Sequence, residues 1–131
     1  MKQTFLLFFF SICMFSQNKT ELFNSNRLGE AREITISLPA SYENNPTKKY
    51  PILVLLDGNY LFDPFYGALR YGAYWDDLPE TIIIGINQKN SRSNDCQYDD
   101  TEGLPTAKGA AFFEFIGGEL VPYIEKKYRT A

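Results

Sequence analysis

Tyr50-Pro51-Ile52-Leu53-Val54-Leu55-Leu56-Asp57-Gly58-Asn59-Tyr60 is the stretch on which the reading of the fold depends. A proline opens an unbroken apolar run, and Asp57-Gly58 closes it where the backbone must turn sharply. The run is too short for a helix and lacks polar alternation, so it predicts a strand buried on both faces. Strands of that kind lie in parallel sheets with helices on each side. Ligands and reacting groups gather at the turn that leaves such a strand's carboxyl end.

Upstream, Glu21-Leu22-Phe23-Asn24-Ser25 and Arg32-Glu33-Ile34-Thr35-Ile36-Ser37-Leu38 read as antiparallel strands joined by a turn at Arg27-Leu28-Gly29-Glu30. In the second strand Ile34, Ile36 and Leu38 alternate with Glu33, Thr35 and Ser37, which predicts one buried and one exposed face. Pro39, Asn44-Asn45-Pro46 and Lys48-Lys49 mark a surface loop. Downstream, Asp63-Pro64 pairs an N-cap residue with proline at the first helical position, so a helix is expected from there to about Trp75. Gly67 and Gly72 weaken it by up to ~1 kcal/mol each relative to alanine.

Leu78-Pro79-Glu80 ends that helix, and Thr81-Ile82-Ile83-Ile84-Gly85-Ile86-Asn87 reads as a second buried strand. A polar loop follows over residues 88–105. In the last helix Phe112, Ile116, Leu120, Ile124 and Tyr128 fall four apart on one stripe, with Phe113 beside them. Glu114 and Glu119 come early and Lys126, Lys127 and Arg129 late, as the helix dipole favours. Gly117-Gly118 and Pro122 are expected to loosen or bend its middle. The order is a hairpin, then strand, helix, strand, helix, which predicts an α/β fold with right-handed crossovers and both sheet faces covered. The pattern then calls for another central strand, so the sheet is expected to be incomplete within these 131 residues.

Composition narrows the function. Lys2, an apolar core over residues 5–15 broken by Ser11, and Ser16-Gln17-Asn18-Lys19 have the layout of a secretory signal peptide over residues 1–16. That core is shorter than the roughly 20 apolar residues of a membrane span. Retention as an uncleaved anchor is the alternative, since Met14 suits a cut after Ser16 poorly, and Phe10-Ser11-Ile12 suits lipidation at Cys13 badly. Once exported, 115 residues remain, enough for one small domain, with 12 basic residues against 16 acidic ones and a formal charge of −4. An acidic balance without a basic cluster argues against nucleic acid as a partner. Cys96 is then a lone cysteine and the sequence has no histidine, so neither an intramolecular disulfide nor a zinc site is expected. No cofactor is implied.

Leu28-Gly29-Glu30-Ala31-Arg32-Glu33-Ile34 leading to Leu38-Pro39-Ala40-Ser41-Tyr42, followed by residues 50–58, resembles the putative-esterase family of α/β-hydrolases. That family includes esterase D-like proteins, siderophore and feruloyl esterases and mycolyl transferases. Residues 79–87 resemble its next strand, and residues 112–130 resemble the helix before its nucleophile strand. The resemblance implies the amino-terminal portion of an esterase domain over residues 17–131. Its serine sits on a Gly-x-Ser-x-Gly elbow, followed by an acid and a histidine. These are expected beyond Ala131, so no catalytic side chain is expected here and the chain alone is expected to be inactive.

The resemblance also marks site residues. Part of the oxyanion hole is a backbone N–H in the turn after the third strand, here Asp57-Gly58-Asn59-Tyr60, with the donor at Asn59 or Tyr60. The plainer alternative is that Gly58 only permits a tight turn. The loop after the second buried strand borders the same cleft, and Asp57, Arg92 and Asp95 are the substrate-binding candidates. A solvated acidic loop is the commoner explanation of Asp95, Asp99, Asp100 and Glu102, whose spacing fits no calcium-loop pattern. Tyr60, Phe62, Phe65, Tyr66, Tyr71, Tyr74 and Trp75 are expected to pack a helix onto the sheet rather than form a ligand platform. The expected substrate is a small-molecule or saccharide-linked ester in the periplasm, envelope or medium. The rival is a non-catalytic binding or surface protein that keeps the fold.

Overall fold

The computed structural model describes residues 18–131, so the leader expected over residues 1–16 lies outside the described residues. The hairpin is longer than its apolar pattern required. Strand β1 (Asn18–Ser25) pairs antiparallel with β2 (Glu30–Ser37), from Asn18 opposite Ser37 to Ser25 opposite Glu30. Gly29 (φ 68°) closes the turn, where Glu119 accepts hydrogen bonds from the Ser25 hydroxyl at 2.5 Å and from the N–H groups of Asn26 and Arg27 at 3.1 and 3.2 Å.

The apolar run forms β3 (Ile52–Leu55), and the second run forms β4 (Ile82–Ile86). Among the described residues the sheet has four strands in the order β1-β2-β4-β3, with β3 and β4 parallel and β2 and β4 antiparallel. Of these four, only β4 is buried on both faces along its whole length; Ile52, Leu53 and Val54 of β3 are half-buried. That differs from the sequence expectation because burial follows position in the sheet as well as apolar content, and β3 lies beyond β4. On the edge of β3 facing away from β4, the Tyr50 N–H donates to the Arg129 carbonyl at 3.0 Å. Its carbonyl accepts from the Ala131 N–H at 2.9 Å, so residues 129–131 run parallel to the lead-in of β3.

Helix α1 (Gly58–Tyr74) connects β3 to β4. It begins six residues before Pro64, not at Asp63-Pro64 as the capping signal predicted. Asp57 takes a left-handed conformation (φ 54°, ψ 35°) and bends the strand directly into the helix. Gly58 then passes so close to β4 that a Cβ there would lie 2.8 Å from the Gly85 carbonyl carbon. Tertiary packing thus overrides a local start signal, and Pro64 is carried inside the helix with its ring exposed. Phe62 is buried beside Gly85, but Tyr60, Phe65, Tyr71, Tyr74 and Trp75 are exposed, which corrects the expectation that these aromatics pack onto the sheet.

The polar loop contains the short helix α2 (Arg92–Asp95). The last helix is built as α3 (Ala107–Phe115), a π-helical turn (Ile116–Leu120) and α4 (Val121–Lys127). The π turn spans Gly117-Gly118, where loosening was expected, and inserts a residue into the helical repeat. Phe112 and Phe115 before it, and Leu120 and Ile124 after it, all reach the core with Ile34, Ile36, Ile82, Ile84 and Ile86. Phe113 lies outside, 75% exposed, and Phe115, absent from the four-residue stripe, takes the core position. Helices α3 and α4 therefore cover one sheet face and α1 the other.

Candidate functional site

At the carboxyl ends of β3 and β4 the chain turns twice, once into α1 and once into α2, and the two turns are tied together. The Asp57 N–H donates to Oε1 of Gln88 at 2.9 Å, and the Gln88 N–H donates to Oδ1 of Asn59 at 3.2 Å. Gln88 Nε2 donates to Oδ2 of Asp95 at 2.9 Å. Gln88 is 1% exposed, so its amide works as an internal brace that sets the height of the Asp57 turn.

Arg92 extends from α2 across the cleft, its Nε 2.7 Å from Oδ2 of Asp57. Its side chain is 64% exposed, whereas that of Asp57 is 11% exposed. The Tyr60 hydroxyl also bonds to Asp57, and that bond, with burial and the carboxylate charge, raises the tyrosine pKa. The same carboxylate raises the Arg92 pKa by hydrogen bonding and charge. Asp57 and Arg92, both candidates from the sequence, are thus brought together, with one guanidinium face left toward solvent.

Asp95 lies elsewhere. It accepts two bonds from Arg32, at 2.6 and 3.2 Å, and a third from the Ser91 hydroxyl at 2.7 Å. Both side chains of the Arg32–Asp95 pair are 5% exposed, and Arg32 also lies over the Phe112 ring at 5.7 Å. Asp95 holds α2 against β2 from inside, and its oxygens are taken up by Arg32, Ser91 and Gln88. A signal for Arg32 was present in the sequence, since strand alternation places it on the same face as Ile34 and Ile36. Gln88 carried no comparable mark beyond being the first polar side chain after a buried strand and Asn87.

The four residues of the turn differ as donors. The Tyr60 and Leu61 N–H groups both bond to the Asp57 carbonyl, at 3.1 and 3.0 Å. Gly58 and Asn59, the first two residues of α1, have N–H groups without an intrahelical partner, as any helix start leaves them. They lie at the positive end of a 17-residue helix, where negative charge is favoured, in the turn whose Asp57 carboxylate pairs with Arg92.

The acidic loop is self-contained. Asp99 accepts the N–H groups of Thr101 and Glu102 at 2.8 and 3.0 Å, and the Glu102 and then the Thr101 bond hold its carboxyl below the ordinary range. Among the described residues, no group of three or more His, Cys, Asp or Glu side chains is placed to hold a metal ion. No helix among them is long and apolar enough to cross a membrane.

A family model described as "Putative esterase" matches residues 25–131. The chain belongs to this esterase family. Its structure is similar to that of an uncharacterised protein from Capnocytophaga ochracea, with a TM-score of 0.79 at 33% identity, covering 88% of this chain and 31% of that one. It is also similar to an IroE-like serine hydrolase from Shewanella oneidensis, with a TM-score of 0.73 at 29% identity, covering 86% of this chain and 39% of that one. The uncharacterised protein YjcH of Bacillus subtilis is 29% identical over 114 residues, 82% of this chain and 43% of the relative. The chain thus spans less than half the length of each of these relatives. In family and in fold it is an esterase-like α/β-hydrolase, with part of that fold on view.

Proposed function

We propose that residues 18–131 supply the oxyanion-binding portion of an exported serine esterase whose nucleophile, acid and histidine are contributed from outside these 131 residues. The observation that carries this reading is the pair of N–H groups of Gly58 and Asn59, unbonded within α1 and placed at the helix start that follows the carboxyl end of β3. Donors fixed before reaction stabilise the developing alkoxide more than the neutral carbonyl, because they need no reorganisation as charge appears. The αL turn at Asp57, braced by Gln88 and Arg92, holds them in place. Arg92 presents its free face to polar substituents of the ester. Asp95 acts through Arg32 and Gln88 as a positioning residue. The sequence contains no histidine, so a histidine base is not among its own residues. Residues 1–16 act as the export leader, which amino-terminal sequencing of the secreted protein would check.

The test uses the complete reading frame that contains this chain, assayed with p-nitrophenyl butyrate and labelled with a fluorophosphonate. Asn59→Pro deletes the N–H and is expected to lower kcat by about 10²–10³-fold, the usual effect of losing one oxyanion donor. Asn59→Ala removes only the side chain and is expected to cost far less. Label on a serine outside residues 1–131 supports the proposal. A folded protein that neither hydrolyses the ester nor takes the label would sink it in favour of a non-catalytic binding protein.

A further inference from the structure

Strand β4 reads Ile82-Ile83-Ile84-Gly85-Ile86, and its one glycine gives up apolar area on the most buried strand of the sheet. Glycine inside a strand weakens it and commonly marks the close approach of another backbone. Gly85 lies opposite Thr35 of β2 and opposite Leu55, the last residue of β3.

The first turn of α1 rests on it. A Cβ built at Gly85 would lie 2.6 Å from Cδ2 of Phe62 and 3.4 Å from the Cα of Gly58. A Cβ built at Gly58 would lie 2.8 Å from the Gly85 carbonyl carbon and 2.9 Å from both the Gly85 Cα and the Ile86 nitrogen. Neither glycine is required by backbone conformation. Among the described glycines, positive φ occurs at Gly29 and Gly103, and the left-handed residue of this turn is Asp57. A tight turn alone therefore does not explain a glycine at position 58. Gly67, in the middle of the same helix, would meet nothing within 4 Å, so crowding is not general to α1.

Distance decides the consequence. Carbon atoms settle at about 3.5–4.0 Å, so a methyl at Gly58 must lift the start of α1 by roughly 0.7 Å, its neighbours being backbone. An oxyanion donor works over a window of about 2.7–3.1 Å, which is narrower than that lift. A methyl at Gly85 meets the edge of the Phe62 ring instead. That ring is 5% exposed and one turn from Gly58, so it passes the push to the same part of the helix.

We propose that Gly85 is a positioning residue for the ester reaction: its bare backbone sets how deep α1 lies on β4, and hence where the N–H groups of Gly58 and Asn59 meet the developing alkoxide. This rests on the oxyanion reading above. The bonds from Gln88 tie the turn to the end of β4, and the glycine contact fixes its depth.

The test uses the complete reading frame that contains this chain, with p-nitrophenyl butyrate as substrate. Gly85→Ala is expected to lower kcat by about 10–10²-fold, the effect of a misplacement near 1 Å, with KM within about twofold. Gly58→Ala keeps its N–H and should do the same. Phe62→Leu removes the ring edge, so it should restore most of the kcat of Gly85→Ala and none of that of Gly58→Ala, whose clash is with backbone. Ile124→Val, in the core under the other sheet face, should lower Tm and leave kcat unchanged, which separates position from stability. Should Gly85→Ala alone fail to fold, Gly58→Ala and the Gly85→Ala, Phe62→Leu double variant carry the comparison. Wild-type kcat in Gly58→Ala or Gly85→Ala, or rescue of both or of neither by Phe62→Leu, would overturn the proposal. If Asn59→Pro lowers kcat while both alanine variants retain it, the ester reading stands and the role of Gly85 falls. A wild type that neither hydrolyses the ester nor takes the fluorophosphonate label would remove both.

Discussion

Asp57 is a non-glycine residue at φ 54°, a conformation that costs an ordinary L-residue about 1–2 kcal/mol. Aspartate is retained there because its carboxylate collects Arg92 and Tyr60 while its backbone turns the strand into the helix. Asp57→Gly relieves the backbone and loses the carboxylate, whereas Asp57→Ala loses both advantages. Urea unfolding is expected to place alanine about 1 kcal/mol below glycine; equal midpoints would mean that the turn is not strained. The Arg32–Asp95 pair gives a sharper expectation. Arg32→Met alone leaves a buried carboxylate unpaired and should cost about 3–5 kcal/mol, while Arg32→Met with Asp95→Leu should recover much of that loss. If the double variant is as unstable as the sum of its parts, the pair does not act as a unit.

The helical layer shows how far a sequence pattern carries at the scale of an element. A four-residue stripe identifies the last helix and Gly117-Gly118 marks where it yields, but the inserted residue that swings Phe115 inward and Phe113 outward is a matter of helical phase. Periodicity read on either side of a π turn belongs to two registers, so one template cannot assign both. A Cβ added at Gly117 or Gly118 would meet nothing within 4 Å. Alanine at each should therefore stabilise the protein by about 0.4–1 kcal/mol through a less flexible unfolded chain, read as a rise in Tm. A fall in Tm would show that the π turn needs glycine's freedom. Helix α1 teaches the converse, since Asp63-Pro64 is a sound local start signal and was overruled by the close approach of Gly58 to Gly85.

Across the molecule, the hairpin and the helical layer are joined through Glu21 of β1, which accepts the Tyr123 hydroxyl at 2.6 Å and Lys127 at 3.0 and 3.1 Å. Burial raises its pKa, but the bonds from Tyr123, Lys19 and Lys127 outweigh it and bring the carboxyl from 4.5 down to about 2. A folded pKa below the unfolded one means that this contribution is complete above about pH 4.5 and fades as pH falls toward 2. Glu21→Gln, which resembles the protonated acid, is expected to lower Tm at pH 6 and to flatten its fall between pH 4.5 and 2. Parallel curves for both proteins would remove Glu21 from the acid response.

The order of strands and helices, the buried character of β4 and the Asp57-Gly58 turn were legible in the sequence, because apolar spacing and turn chemistry are local properties of the chain. The pairing of Asp57 with Arg92, the withdrawal of Asp95 to Arg32, the brace at Gln88 and the burial of Ser37 under α1 were decided only by the tertiary structure. Each joins residues from different elements, and which polar groups meet depends on strand order, helical phase and the exact height of two turns, none of which a local pattern encodes.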